Sequence, residues 1–384
     1  MKMYEHKGRM VIPTIDYRAG MVRIIDQSLL PREEKILELS TVDELGEAIQ
    51  SLKVRGAPAI GIAAAYGVLL ALENFLREKI KSPPAFFFDR LKDMKSIACS
   101  GVDVKEMREQ LAGAREVLAG TRPTAFNLFW ALERMRTVVD GGGSDPGELC
   151  RQIAREAFRI HEEELEIEIA IGANGASVIE NGMNVLTHCN AGGLATAGYG
   201  TALAVLYRAH EDGKRFHVFA DETRPLLQGA RLTAWELDER GISVTVLCDA
   251  AAPSLFAAGR IDLVIVGADR VAGNGDIANK IGTLGLAVLC EKYQKPFYVA
   301  APWSTFDPTI TSGTEIHIEE RMGEEVTCFS GVQTAPQGSM VYNPAFDVTP
   351  AQLITAFITE RGVIEHPDTE KIRTIAQSGS GGGR

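Results

Sequence analysis

Short apolar runs that alternate with helical stretches dominate the second half of this 384-residue chain. Most of these runs are bounded by turn signals, as expected of buried parallel strands. The spacing of strand, helix and strand predicts a doubly wound, mostly parallel sheet. Because the carboxyl ends of parallel strands meet at one edge, the residues that follow each strand are candidates for a site. The predicted strands are residues 185–187, 217–220, 244–248, 263–266 and 297–300.

Cys189 follows the first of these strands, in a loop rich in glycine that leads to a helix-like run. A thiol near a helix amino terminus can be reactive, because the N–H groups and the helix dipole favour an anion there. The alternative is that Cys189 is a small buried side chain without a chemical role, which is common for free cysteines. This loop alone does not separate the two interpretations.

Asp269 follows the fourth predicted strand, so it would lie at the same edge of the sheet as Cys189. Two such groups can move a proton between adjacent carbons, one taking the proton and the other giving it. An aldose–ketose isomerase needs this pair and no cofactor. The alternative for Asp269 is a helix cap or an ion pair with Arg270.

Three loops contain residues suited to an anionic ligand. Arg55 precedes small residues and a predicted helix, and Arg122 lies in a loop before another helix. Either arginine could instead be a solvated surface charge. A glycine loop at residues 273–276 and a predicted helix carrying Asn279 and Lys280 together predict a phosphate cradle. The same glycines match the dinucleotide fingerprint only weakly, because six residues separate them from the preceding strand.

The first half of the chain is mainly helical with a few short strands. Residues 9–13 and 21–25 are predicted strands, residues 41–52 a capped helix, and residues 86–139 largely helical. The Gly-rich stretch at 141–144 is a linker, followed by a helix start at Asp145-Pro146. We therefore predict a helical domain at 1–143, a Rossmann-like domain at 144–367 that opens with a long connecting helix, and a disordered tail at 368–384.

Composition excludes several classes of function. The formal charge of −11 argues against broad nucleic-acid binding. No apolar run reaches the roughly 18 residues of a membrane span, and the amino terminus lacks the apolar core of a secretion signal. We expect a cytoplasmic protein that does not bind membranes. The six cysteines show no zinc-type spacing, so no structural metal is expected.

Several separated segments, taken together and in order, resemble the methylthioribose-1-phosphate isomerase family. The resemblance extends from about residue 26 to residue 367. It rests on Arg55-Gly56-Ala57-Pro58-Ala59, Thr187-His188-Cys189-Asn190-Ala191-Gly192, Asp221-Glu222-Thr223-Arg224-Pro225, Gln228-Gly229-Ala230-Arg231-Leu232-Thr233, and Gly267-Ala268-Asp269-Arg270 through Asn279-Lys280.

The resemblance implies conversion of 5-methylthioribose 1-phosphate to 5-methylthioribulose 1-phosphate in methionine salvage. It implies a metal-free, cofactor-free homodimer with a helical amino-terminal domain and a Rossmann-like carboxyl-terminal domain. Cys189 and Asp269 match the catalytic positions of the family. The positions that match substrate-binding residues are Arg55, Gly56, Ala57, Arg122, Gln228, Asn279 and Lys280.

Two alternatives stay open at this point. Sister isomerases act on 5-deoxyribose 1-phosphate or ribose 1,5-bisphosphate, and the segment Gln228-Gly229-Ala230-Arg231 favours the methylthio sugar over the bisphosphate. The same superfamily contains non-catalytic regulatory subunits of a translation-initiation exchange factor. The presence of both Cys189 and Asp269 favours the enzyme over such a scaffold.

Overall fold

A computed structural model describes residues 3–80, 101–123 and 125–379. The chain divides into two compact units. The first comprises Met1–Glu166 with Gly193–Gly200, and the second comprises Ile167–Gly192 with Thr201–Arg384. The fold is α/β, with a mainly helical amino-terminal part, as the sequence predicts.

The first unit combines short strands with long helices. The elements are β1 (Tyr4–His6), β2 (Arg9–Val11), β3 (Ile15–Arg18), β4 (Met21–Ile25), β5 (Ile36–Leu39), α1 (Val42–Gln50), α2 (Ala57–Lys79), α3 (Val104–Ala119), α4 (Phe126–Gly141) and α5 (Pro146–Gly175). Strands β3, β4 and β5 form an antiparallel sheet, and β1 and β2 form a hairpin. Part of the predicted helical region, residues 86–100, lies outside the described residues.

Helix α2 is the centre of the first unit. Its small residues let neighbouring helices approach closely, and a Cβ at Gly67 would lie 2.8 Å from the Leu118 side chain of α3. By length and composition α2 could cross a membrane, but 89% of its most apolar window is buried inside the protein. That burial is typical of the core helix of a folded domain.

Local capping fixes the starts of two helices. At α1 the Thr41 side chain accepts a hydrogen bond from the Glu44 N–H, and Glu44 accepts one from the Thr41 N–H. At α5 the Asp145 carboxylate accepts from the Glu148 N–H at 2.7 Å, with Pro146 at the first helical position. Both helix starts are confirmed as predicted.

The division between the two units differs from the predicted boundary at residue 143. It lies inside α5, between Glu166 and Ile167. The first part of α5 belongs with the first unit, within which Arg134 of α4 forms ion pairs with Glu156 and Glu163. The connecting helix is therefore shared between the units rather than opening the second one.

The second unit contains the predicted parallel sheet. Its elements are β6 (Asn184–Thr187), α6 (Ala202–Glu211), β7 (His217–Asp221), α7 (Ala234–Glu239), β8 (Val244–Leu247), α8 (Ala252–Ala257), β9 (Leu263–Val266), β10 (Arg270–Ala272), β11 (Ile277–Lys280), α9 (Thr283–Tyr293), β12 (Phe297–Ala300), β13 (Phe306–Asp307), α10 (Glu324–Thr327), β14 (Cys328–Phe329), β15 (Val332–Gln333), β16 (Phe346–Thr349), β17 (Ala356–Thr359), β18 (Gly362–Glu365) and α11 (Thr369–Gly379).

Seven strands form the main sheet in the order β18-β17-β12-β9-β6-β7-β8. All neighbours are parallel except β17 and β18. From β6 the chain proceeds outward to β7 and β8, and then crosses to β9 on the other side of β6. The strand order therefore reverses between β6 and β9, which is where open α/β sheets bind ligands.

A second, smaller sheet corrects one prediction. The glycine loop does not lead into a helix, because it is the turn between antiparallel strands β10 and β11. Gly275 takes a positive φ of 91° in this turn, and the other edge of β11 pairs with β16. Asn279 and Lys280 thus lie on a strand, since cross-strand pairing decides the conformation of so short a segment.

The predicted disordered tail is also wrong for most of its described length. Residues Thr369–Gly379 form helix α11, and Ile372 is buried in the hydrophobic core of the second unit. Packing of the apolar residues in this segment offsets the conformational entropy lost when the helix forms. Residues 380–384 of the predicted tail lie outside the described residues.

Candidate active site

Cys189 lies two residues beyond the end of β6 in a strained backbone conformation. Its φ is +62°, in the left-handed region that non-glycine residues rarely adopt. Two threonines hold it there: the Cys189 N–H donates to Thr223 Oγ1 at 2.8 Å, and Thr233 Oγ1 donates to the Cys189 carbonyl at 2.6 Å. The side chain is partly exposed. Strain held in place by neighbouring hydrogen bonds is typical of functional turns.

The buried carboxylate of Glu236 supports the same turn. Glu236 accepts hydrogen bonds from Asn190 Nδ2 at 2.7 Å and from the Tyr207 hydroxyl at 2.8 Å. A Cβ at Gly192 would collide with this carboxylate, so only glycine allows the close approach of the loop. Burial, followed by the charge of Glu236, raises the pKa of Tyr207 well above its usual value. The network therefore fixes the loop that carries Cys189.

Asp269 lies three residues beyond the end of β9. Strand β9 pairs with β6 on the side opposite β7. The register of the two parallel strands is Val185 opposite Leu263 and Leu186 opposite Val264. Asp269 is partly buried, and its N–H donates to the Ala278 carbonyl of β11 at 2.9 Å. Cys189 and Asp269 thus follow adjacent strands at one edge of the sheet, at the point where the strand order reverses.

Gln228 is buried beside a π-helical turn at Gly229–Thr233. Among the residues that the structure describes, its Oε1 has no hydrogen-bond partner. A buried unpaired acceptor is costly unless something donates to it. The binding role predicted for Gln228 stays a prediction, and the unpaired Oε1 leaves an acceptor available for it.

Asn279 and Lys280 occupy the last two positions of β11. The Asn279 side chain is buried and donates from Nδ2 to Thr283 Oγ1 at 3.0 Å. Lys280 is partly buried, with Nζ 4.9 Å from the centre of the Phe346 ring. The glycine turn lies at the opposite end of β11, so it and Lys280 do not form one phosphate cradle as predicted. The amino-terminal N–H groups of α9 at Gly282 and Leu284 donate to the Asp347 carboxylate.

Four predicted substrate-binding residues belong to the first unit. Arg55, Gly56 and Ala57 lead into α2, and Arg122 lies in the loop between α3 and α4. Gly56 has φ +93°, and a Cβ there would lie 2.6 Å from Cα of Ala195. Only glycine permits this approach, so the Arg55-Gly56-Ala57 sequence has a local steric reason for glycine at its second position.

Hydrogen bonds also fix segment Gly193–Gly200 within the first unit. Thr14 Oγ1 donates to the Gly193 carbonyl at 2.6 Å, and Gln27 Nε2 donates to the Leu194 carbonyl at 2.7 Å. The segment Gly193–Gly200 is thereby ordered by residues 179 and 167 positions earlier in the chain.

The sequence gives no direct signal for one buried pair beside the site, His188 and Asp221. His188 Nδ1 lies 2.8 Å from Asp221 Oδ2, and Nε2 lies 2.8 Å from the Ile281 carbonyl. Burial lowers the pKa of His188, but the hydrogen bond and charge of Asp221 outweigh this, so the pKa is raised. Asp221 follows a predicted strand and lies in a segment that carries the family resemblance, but neither observation pairs it with His188.

Ligand atoms of His188, Asp221 and Asp249 lie within 4.8 Å of one another and form a candidate cation site. Both ring nitrogens of His188 are already engaged, however. The Asp249 carboxylate accepts the N–H groups of Thr223 and Arg224, each at 2.7 Å. A metal would have to displace one of these partners, because it needs a free lone pair on the ring.

Comparisons with known proteins find relatives over most of the chain. Residues 53–366 match the model of the Initiation factor 2 subunit family. A methylthioribose-1-phosphate isomerase of Geotalea uraniireducens (strain Rf4) is 49% identical over 363 residues, covering 94% of this chain and 98% of that protein.

Two solved structures are also similar over nearly the whole chain. The 5-methylthioribose 1-phosphate isomerase of Pyrococcus horikoshii OT3 has a TM-score of 0.85 and 42% identity, covering 95% of this chain and 96% of that one. The translation initiation factor eIF-2B, subunit delta, from A. fulgidus has a TM-score of 0.80 and 42% identity, covering 95% and 99%. The matches extend across both units, and the chain therefore belongs to the Initiation factor 2 subunit family.

Proposed function

We propose that this protein is an aldose–ketose isomerase that converts 5-methylthioribose 1-phosphate to 5-methylthioribulose 1-phosphate, a step of methionine salvage. The observation that carries the proposal is the placement of Cys189 and Asp269 after adjacent parallel strands, at the reversal point of the sheet. Near full-length relatives with 48–50% identity bear the name of this enzyme. These relatives support the reaction, and the geometry supports the two residues.

The phosphate on the anomeric carbon prevents spontaneous ring opening, so the enzyme must open the ring itself. In the proposed first step Asp269, in its acid form, gives a proton to the ring oxygen as the bond from that oxygen to C1 breaks. The Cys189 thiolate then takes the proton from C2, and the electron pair of that C–H bond forms the C1–C2 double bond.

The second half of the reaction restores both groups. Asp269 takes the proton of the C2 hydroxyl, a carbonyl forms at C2, and C1 receives the proton that Cys189 holds. C1 is reduced and C2 is oxidised, so no external electron acceptor is needed. Direct transfer of a hydride from C2 to C1 is the alternative route, and it would leave Cys189 only lining the path.

Lys280 is the proposed counter-charge for the substrate phosphate, and Asn279 and Gln228 are the proposed polar contacts to the sugar. The unpaired, buried Oε1 of Gln228 supports a hydroxyl partner. On the family resemblance, Arg55, Gly56, Ala57 and Arg122 are also proposed to bind substrate. No nucleic-acid or membrane partner is proposed.

Exposed apolar side chains between β13 and β16 support the proposal that the protein is a homodimer. Met322, Val332, Met340 and Tyr342 are between 63% and 100% exposed. So many large apolar side chains in one short segment are typical of an interaction surface. None of the cysteines that the structure describes forms a disulfide, which fits the proposed cytoplasmic location.

The first prediction concerns the two proposed catalytic residues. Cys189→Ser and Asp269→Asn should each lower kcat at least about 1,000-fold, because each removes one partner of the proton transfer. Turnover is measured by NMR, and folding by circular dichroism. Cys328→Ser at a partly exposed position and Asp238→Asn at an exposed one change the same residue types and should keep wild-type turnover. A folded Cys189→Ser or Asp269→Asn variant with near wild-type kcat would contradict the mechanism.

The second prediction concerns the phosphate. Lys280→Ala should raise KM about 10- to 100-fold with a smaller change in kcat, because a hydrogen bond to a charged group contributes about 1.5–3 kcal/mol. Lys292, which is exposed on α9, provides the matched control, and Lys292→Ala should leave KM unchanged. Equal KM values for the two variants would remove Lys280 from the phosphate site.

The third prediction concerns the substrate. We expect the highest kcat/KM for 5-methylthioribose 1-phosphate, with 5-deoxyribose 1-phosphate about 10- to 100-fold lower, because the sulfur and methyl group add apolar contact. Ribose 1,5-bisphosphate should react least. Preference for another of the three would reassign the protein to a sister isomerase. Absence of turnover on all three would favour the regulatory-subunit alternative.

The fourth prediction concerns assembly. Light scattering after size exclusion should give twice the 41.6 kDa mass of one chain. Replacing Met340 and Tyr342 with Ser should weaken the dimer, whereas the same change at exposed Val288 on α9 should not. A monomeric wild-type protein at micromolar concentration would contradict the homodimer.

A further inference from the structure

His188 is buried, and each of its ring nitrogens faces an oxygen atom. Nε2 lies 2.8 Å from the Ile281 carbonyl, which can only accept a hydrogen bond, so Nε2 carries a proton. Nδ1 lies 2.8 Å from Asp221 Oδ2, and an ionised carboxylate also only accepts. With Asp221 ionised, both nitrogens donate and the ring is an imidazolium.

Acidic groups surround this ring. Besides Asp221 at the end of β7, Asp249 after β8 and Asp347 on β16 also interact with the charge on His188. Burial opposes the charge on the ring, but the hydrogen bond and charge of Asp221 outweigh it and raise the pKa of His188. Burial also raises the pKa of Asp221, and the hydrogen bond with His188 opposes that rise.

The pair connects three segments that carry proposed site residues. His188 directly precedes Cys189, Asp221 begins the loop that leads to Gln228, and Ile281 directly follows Lys280. Gly282 packs against the ring, where a Cβ would lie 2.8 Å from Cε1 of His188. One charged side chain thus holds the cysteine turn against the end of β11.

A divalent cation is the other possible use of the His188, Asp221 and Asp249 cluster. It would need the ring in its neutral form, with one lone pair directed at the metal. The carbonyl of Ile281 and the carboxylate of Asp221 occupy both nitrogens instead. The geometry therefore favours a charged bridge over a metal site.

We propose that His188 is a positioning residue that, as an imidazolium paired with Asp221, fixes Cys189 relative to the Asn279–Lys280 end of β11. It does not touch the reacting atoms of the proposed mechanism. The kinetic part of the inference rests on the proposed isomerase function, and the charge on the ring does not. The two parts can therefore fail separately.

The charge state is tested on the wild-type protein without substrate. In a two-bond ¹H–¹⁵N spectrum at pH 7.5, both ring nitrogens of His188 should have the shifts of protonated nitrogens. The signal is assigned by its loss in His188→Gln or, if that variant does not fold, by elimination with Gln variants of the other histidines. A neutral ring at pH 7.5, in either tautomer, would overturn the proposal.

The charge on His188 should also make the stability of the fold depend on pH. Because the folded-state pKa of His188 is raised, the pair contributes fully below about pH 6.5, the ordinary value for the unfolded chain. The contribution is lost as the pH rises through the folded-state pKa. The fall of Tm with rising pH should therefore be smaller in His188→Gln than in the wild type. Identical falls would contradict the charged bridge.

The positioning role is tested by kinetics. His188→Gln and Asp221→Asn should lower kcat about 10- to 100-fold, and KM should change less, because a shift of about 1 Å in a reacting group can cost that much. His217, on the same sheet but bonded to Ser243 and Thr245, gives the control, and His217→Gln should match the wild type.

The pH profile separates positioning from general loss of structure. Asp221→Asn removes the negative partner, so His188 should lose its proton at lower pH, and the alkaline fall of kcat should move to lower pH with it. An alkaline fall at the wild-type pH, or wild-type kcat in folded His188→Gln, would overturn the positioning role. Failure of the wild type to isomerise any sugar phosphate would instead overturn the proposed function and leave the NMR result intact.

Discussion

The parallel pairing of β6 with β9 is the interaction on which the candidate site depends. These strands come from parts of the chain almost 80 residues apart, yet their register brings both carboxyl ends to one edge. The chain leaves β6 toward β7 and β8, and returns on the other side to form β9. Cys189 and Asp269 lie at this reversal because of the topology, and no local preference of either segment would place them there.

Buried polar groups then fix the conformation of the loops at this end of the sheet. Thr223 and Thr233 hold the left-handed backbone of Cys189, and Glu236 holds the loop that follows it. Each of these groups would destabilise the fold if it were left without a partner. Their mutual satisfaction makes the strained turn a stable part of the native state, so the thiol is positioned before any substrate arrives.

Much of this could be predicted because the signals are local. The apolar runs at Leu263–Val266 and Phe297–Ala300 match the observed strands to the residue, and Thr41 caps its helix as expected. The features that the sequence did not predict depend instead on contacts between distant parts of the chain. Strand β11 looked like a helix because its pairing with β16 is set by residues about 70 positions away. The role of His188 depends likewise on Asp221 and Ile281, which only the folded sheet brings to its ring.

The most direct test of the central claim follows the hydrogen at C2 of the sugar. The wild-type enzyme is allowed to turn over 5-methylthioribose 1-phosphate in D₂O, and the product is examined by NMR for deuterium at C1. If Cys189 carries the proton, part of the product should contain deuterium, because a thiol proton exchanges with solvent in some turnovers. Product without any deuterium, with every C2 hydrogen recovered at C1, would contradict proton transfer by Cys189 and favour a hydride shift.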